Sequence, residues 1–275
     1  MGIEAIYNYF LFLWTFLAVI VFVTLFFKDA PYGRYLTDQS SLTIPSRIGW
    51  IIMESPAVIG IFIFFYFFYG NSGLVEILFC LIWLVHYIHR SFIWPFRARL
   101  KGKQMTISVM VMALLFNLVN VTLQGIWIFI LGEYSDQWLL SPIFMFGVIV
   151  FATGMMINIK SDNILMELRE KEGEGYYIPN GFFFKFVSSP NYLGEIIEWL
   201  GWALLTMSPA GLVFLIWTIA NLVPRAKSNH EWSKSNISNY PSERNGASIP
   251  KGQKRSFSLP IEATLRRGNV HVYDP

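Results

Sequence analysis

The apolar residues of this chain come in blocks about as long as a bilayer is thick, which leaves few folds open to it. Runs extend from about Ala5 to Phe27, Ile48 to Tyr69, Leu74 to Trp94, Ile107 to Leu131 and Trp138 to Ile157. Two shorter ones follow, Leu193 to Met207 and Leu212 to Val223, split by Ser208-Pro209-Ala210-Gly211. A helix rises about 1.5 Å per residue, so roughly 20 apolar residues cross about 30 Å of hydrocarbon with every backbone group satisfied inside the helix. The pattern predicts an all-α, multi-pass integral membrane protein. Composition agrees: 14% of the residues are charged, against about 25% in a soluble domain.

Charge gives the orientation. Lys28, Arg34 and Arg47 lie in the first loop, and Arg97, Arg99, Lys101 and Lys103 in the third. Lys160, Arg169, Lys171 and Lys185 fall in the fifth, while Arg225 and Lys227 open the tail. The second and sixth loops carry no Lys or Arg, and the fourth has only Glu133 and Asp136. Basic loops face the cytosol, so the N-terminus is expected outside and the C-terminus inside, with seven transmembrane helices. The first run has no small-residue cleavage site before Lys28 and reads as a retained span. Residues 1–232 then form the membrane domain and 233–275 a polar cytosolic tail, with disorder expected over 251–275.

Several classes drop out. Cys80 is the only cysteine, so no disulfide forms within the chain, and four scattered histidines with one thiol argue against a structural metal. His86 and His89 lack a carboxylate or cysteine cluster beside them, so no metal is expected there. A net charge of +3 does not point to nucleic acid. No glycine fingerprint of a dinucleotide fold, Walker loop or nucleophile elbow is present.

What remains are polar groups within the spans, each needing a partner, a wet cavity or a function. Glu54 lies deep in the second run among Ile51, Ile52 and Met53, just before Pro56. Tyr87 sits near the cytosolic end of the third, where an interfacial anchor is the simpler reading. Asn117, Asn120 and Gln124 line one face of the fourth, a stripe more typical of helix–helix contacts than of a site. Asn158, Asp162 and Arg169 share a face at the exit of the fifth run, and Asn191, Glu195 and Glu198 share one at the start of the sixth. Carboxylates and amides with arginines nearby suit the hydroxyls and phosphates of a dinucleotide, or simply a solvated helix end.

Three segments carry a resemblance: Ser161-Asp162-Asn163-Ile164-Leu165, Ile178-Pro179-Asn180-Gly181, and Asn191-Tyr192-Leu193-Gly194-Glu195-Ile196-Ile197-Glu198-Trp199. With His86-Tyr87-Ile88-His89-Arg90, Leu123-Gln124-Gly125 and Pro31-Tyr32-Gly33-Arg34, they closely resemble the steroid 5α-reductase family over most of residues 30–232. The resemblance implies seven helices enclosing NADPH and a flat 3-oxo-4-ene steroid. It implies that Glu54 and Tyr87 are the catalytic acid pair, with Trp50 and Met53 against the substrate. It implies that Tyr32, Asn158, Asp162, Arg169, Asn191, Glu195, Arg225 and His230 hold the cofactor. That family usually carries Gln where Met53 stands and Tyr where Ser233 stands.

The expected reaction is hydride transfer from NADPH to C5, with Tyr87 and a protonated Glu54 donating to the C3 oxygen and a proton added at C4. Alternatives are reduction of another conjugated lipid, such as an enoyl thioester or polyprenal, or an S-adenosylmethionine-dependent methyltransferase. A channel or transporter would need polar residues across the whole bilayer, and these cluster in the cytosolic half. The partners expected are the lipid bilayer and a hydrophobic enone; a monomer is expected, in the endoplasmic reticulum of a eukaryote or the inner membrane of a bacterium.

Overall fold

Each of the long apolar runs folds as a helix in the computed structural model, which describes residues 2–27, 42–68, 70, 72–173, 176–237, 239–241 and 243–244. They are α1 (Ile3–Phe27), α2 (Ser46–Phe68), α3 (Leu74–Ile88), the short α4 (Trp94–Arg97), α5 (Ile107–Ile126) and α6 (Pro142–Glu172). α7 (Pro190–Thr206) and α8 (Pro209–Asn236) follow. α3 and α4 are one continuous span, joined by a π-helical turn at His89–Ile93, and a second such turn, Trp127–Leu131, extends α5. Among the described residues, six helices are long and apolar enough to cross a membrane. The seventh, α7, has 17 residues and reaches about 26 Å, a little short of the hydrocarbon thickness. This is an all-α multi-pass membrane protein. Tyr32 and its neighbours lie outside the described residues, as does the segment from 245 onward.

Two helices outrun their apolar stretches. α6 continues through polar residues until Gly173, whose φ of +83° stops it. α8 runs past Val223 and Pro224 to Asn236, because Ala226, Asn229 and Ser233 stay buried along one side. The only strands described are a three-residue antiparallel pair, β1 (Thr43–Pro45) with β2 (Gln104–Thr106), which ties the starts of α2 and α5 together beside the basic third loop.

The core is aromatic. Trp83, Trp199 and Trp202 are fully buried among Phe79, Phe151 and Phe214. A buried indole favours an acceptor, and two of the three have one in good geometry. Trp83 Nε1 donates to the Ala57 carbonyl at 2.9 Å, and Trp202 Nε1 to Gln124 Oε1 at 3.0 Å. α6 and α7 pack most closely of all, antiparallel, with Gly147 and Gly154 of one helix against Leu205 and Glu198 of the other. Gly201 and Gly194 of α7 meet Phe151 and Asn158 in the same way, and a methyl group at Gly154 or Gly201 would collide with backbone. α1 stands at the rim. It packs mainly on α8, through Trp14 and Trp217 with ring centroids 4.8 Å apart, and leaves Phe12 and Phe16 outward toward lipid.

Candidate active site

Pro56 shapes the site first. Lacking an N–H, it leaves the Ile52 carbonyl without its helical donor, and Ser55 Oγ supplies a substitute at 3.3 Å. One residue on, the Met53 carbonyl accepts from Asn117 Nδ2 at 2.8 Å, and the same amide reaches Glu54 Oε2 at 3.3 Å. Asn117 therefore grips α2 beside Glu54 and sets which way that carboxyl faces. Met53 itself is buried.

Tyr87 comes from α3, 3% exposed, against the rings of Trp83 and Trp199 at centroid distances of 4.6 and 5.8 Å. Glu54, Glu195, Glu198 and Asn120 lie close enough to act on its phenol. The residue before it, His86, shares a 2.7 Å hydrogen bond between Nδ1 and Glu198 Oε1, with both side chains buried. His86 is thus taken up by a carboxylate of α7. Glu198, read from sequence as one of three polar residues at a helix start, is fully enclosed.

The π-helical turn after Tyr87 brings Arg90 into the centre. Its guanidinium lies over Trp50 and Trp94, 4.7 and 5.1 Å from the ring centroids, and 3.9 Å from both Asp162 and Glu195. Trp50 Nε1 donates to the Arg90 carbonyl at 3.1 Å. Asp162 accepts from Trp94 Nε1 at 2.8 Å and from Asn191 Nδ2 at 3.1 Å. Asn158 Nδ2 donates to the Asn191 carbonyl at 3.0 Å and lies 3.5 Å from Glu195 Oε2. The close α6–α7 approach makes this possible, since short amide side chains can bridge only helices whose backbones nearly touch.

The structure thus brings Glu54, Tyr87, Asn158, Asp162, Asn191, Glu195 and Trp50 into one neighbourhood in the half of the bundle nearer the basic loops. Three sequence candidates stand farther along. Arg169 is buried near the end of α6, where its carbonyl accepts from Arg99 Nη1 at 2.7 Å. Arg225 stacks over the Tyr192 ring at 5.2 Å. His230 Nδ1 is 2.7 Å from Ser188 Oγ, which also meets the Tyr240 hydroxyl at 2.6 Å. Tyr32 is outside the described residues.

A family model described as 3-oxo-5-alpha-steroid 4-dehydrogenase matches residues 103–251, more than half of the chain. This chain belongs to the 3-oxo-5-alpha-steroid 4-dehydrogenase family. The steroid 5-alpha-reductase DET2 of Solanum lycopersicum is 39% identical over 260 residues, covering 92% of this chain and 96% of its own length. DET2 of Arabidopsis thaliana is 39% identical over 218 residues, 76% of this chain and 82% of its own. The human 3-oxo-5-alpha-steroid 4-dehydrogenase 1 is 37% identical over 219 residues, 78% and 84% of the two chains.

Within this member of the 3-oxo-5-alpha-steroid 4-dehydrogenase family, sequence reading missed Arg90 and undervalued His86, Glu198 and Asn117. Arg90 lies three residues from Tyr87, which puts it on the same helical face, and that spacing was the available signal. At the end of a span it reads instead as one more basic anchor.

Proposed function

We propose that this protein reduces the 4,5 double bond of 3-oxo-4-ene steroids to 5α-dihydrosteroids, with NADPH as reductant. What supports the reaction class is the family, whose relatives carry steroid 5-alpha-reductase names. What supports the residue assignment is the meeting of Glu54 and Tyr87, from separate helices, in an aromatic-walled site beside a carboxylate–amide cluster.

The residues present fit a dinucleotide. Asp162, Glu195, Asn158 and Asn191 offer acceptors for ribose hydroxyls and amides for the nicotinamide carboxamide, while Arg169, Arg225 and His230 lie toward the basic end, where phosphates would be neutralised. Glu198 Oε2 is buried with no hydrogen-bond partner among the described residues, so polar capacity is left over for a ligand. Tyr32 is a further proposed contact. NADPH, when bound, supplies a hydride to C5 of the substrate.

The chain's own groups hold the steroid and manage its charge. Trp50 and Met53 line the substrate side of α2. Tyr87, seated on Trp83 and Trp199, donates its hydroxyl proton's hydrogen bond to the C3 oxygen as negative charge grows there. Glu54, oriented by Asn117, supports that donation from the opposite helix. Donors fixed in advance in a water-poor site stabilise such charge without reorganising at the moment of reaction. The basic loops face the cytosol in this reading, which opens the cofactor side to cytosolic NADPH.

The test is NADPH oxidation by the purified protein in detergent, with and without testosterone or progesterone, with the product identified by mass. A product two mass units heavier, with 5α stereochemistry, is expected. Glu54→Gln and Tyr87→Phe should each lower kcat by about 100-fold or more. Wild-type rates in both variants would overturn the acid-pair assignment, and cofactor binding without steroid turnover would move the substrate to another conjugated lipid.

A further inference from the structure

The amides along α5 have a polarity fixed from outside the site, and the last donor in the series lacks a well-formed hydrogen bond. Trp202 Nε1–H can only donate, so the Gln124 oxygen must face it, at 3.0 Å. The nitrogen of Gln124 then points the other way, donating to the Ala210 carbonyl at 2.9 Å and, at longer range, to Asn120 Oδ1 at 3.5 Å. With its oxygen turned to Gln124, Asn120 must aim its Nδ2 away from it. That nitrogen is buried and meets no acceptor in full hydrogen-bonding geometry among the described residues; the acceptor it comes nearest to engaging is the Tyr87 phenol oxygen. Asn120 is 3% exposed and lies against the Tyr87 phenol.

An amide serving only to join helices would spend its donor on the neighbouring helix, as Asn117 does on the Met53 carbonyl. Asn120 makes no such bond in good geometry, only a poorly aligned approach to the Tyr87 phenol, although an amide N–H left so in a dry interior is unfavourable. The site next to it is where an electron-rich oxygen has to be received. We infer that Asn120 is a third hydrogen-bond donor of the acid site: its Nδ2–H receives the same substrate oxygen as Tyr87. Gln124 and Trp202 are positioning residues, which touch no substrate but keep the Asn120 amide from flipping. The inference rests on the reduction proposed above and extends it to a residue on a third helix.

Asn120→Leu removes the donor at similar size, and Asn120→Asp keeps the shape while replacing N–H by oxygen. Both are compared with the unaltered protein for kcat, for NADPH affinity, and for the affinity, in the presence of NADP⁺, of testosterone and of its 3-deoxy analogue. The expected result is a kcat lowered about 100-fold, with testosterone bound about tenfold more weakly. NADPH and the 3-deoxy analogue should bind within twofold of the unaltered protein. The ligand comparison separates a lost contact from a damaged fold, and Asn120→Asp carries the test if Asn120→Leu does not fold. Equal weakening of both steroids, or a kcat within threefold of the original, overturns the inference. An unaltered protein that reduces no 3-oxo-4-ene steroid defeats the reduction reading itself; one that does, with Asn120→Asp indistinguishable from it, defeats only the role of Asn120.

Discussion

His86 and Glu198 are joined at 2.7 Å inside the aromatic core, and Glu198 Oε2 has no hydrogen-bond partner among the described residues. Removing one member leaves an uncompensated polar group in a low-dielectric interior, whereas replacing both with apolar side chains removes the problem along with the bond. His86→Phe is therefore expected to destabilise the protein by about 3–5 kcal/mol, read as a lowered apparent Tm in detergent. His86→Phe combined with Glu198→Leu should recover most of that loss; a double variant no better than the single one would mean the pair is not an energetic unit. At this scale the sequence was informative about which residues are unusual and poor on what they do. Glu54 stood out because nothing near it in the chain could balance it. Glu198 did not, because three polar residues at a helix start look solvated until the partner helix is known. Arg90 was disguised by its place at the end of a span, and only the widened turn at His89–Ile93 explains how it reaches Asp162 and Glu195.

The α6–α7 pair is the element on which the candidate cofactor residues depend. Four glycines set the separation of the two backbones, and Asn158, Asp162, Asn191 and Glu195 bridge the gap with bonds that tolerate little widening. Gly154→Ala should cost about 1–3 kcal/mol, the usual penalty for a group with no room, and should weaken NADPH binding by separating those bridges. Gly70→Ala, which meets open space, serves as the control. Apparent Tm and cofactor titration of the two variants check this; equal behaviour would show that the pair can relax around an extra methyl. The existence and rough extent of most helices were legible, because bilayer thickness dictates apolar length. The seven-residue spacing of Gly147 with Gly154 and of Gly194 with Gly201 went unread, because it acquires meaning only once the two helices are known to be antiparallel neighbours. The polar extension of α6 was legible from the shared face of Asn158, Asp162 and Arg169; the end of α8 was harder, since it leaves the apolar stretch and is held by burial against other parts of the protein.

Across the whole molecule, the segment after α8 is bound back onto the loop before α7. Arg244 is 5% exposed and donates through Nη2 to the Pro179 carbonyl at 2.6 Å and to Asn180 Oδ1 at 3.2 Å. Composition alone marked the change at Ser233 and could not show this, because a single arginine in a polar stretch carries no periodicity. Arg244→Ala is expected to speed proteolytic cleavage between Tyr176 and Ser189 several-fold while leaving cleavage elsewhere unchanged; an unaltered pattern would mean the loop is held without it. The packing of α1 on α8 has a different kind of consequence, one for biogenesis. α1 leaves the ribosome long before its main partner, α8, and the Tyr7 hydroxyl finds its acceptor, the Leu123 carbonyl, only after α5 has emerged. At roughly 5–20 residues per second, the roughly 180 residues from Phe27 to Pro209 take on the order of 10–40 s to translate. Through that interval Trp14 faces lipid or a chaperone in place of Trp217, so closure of the bundle is a late, post-insertion event, and a chain cut short before α8 would present an unfinished surface to membrane quality control.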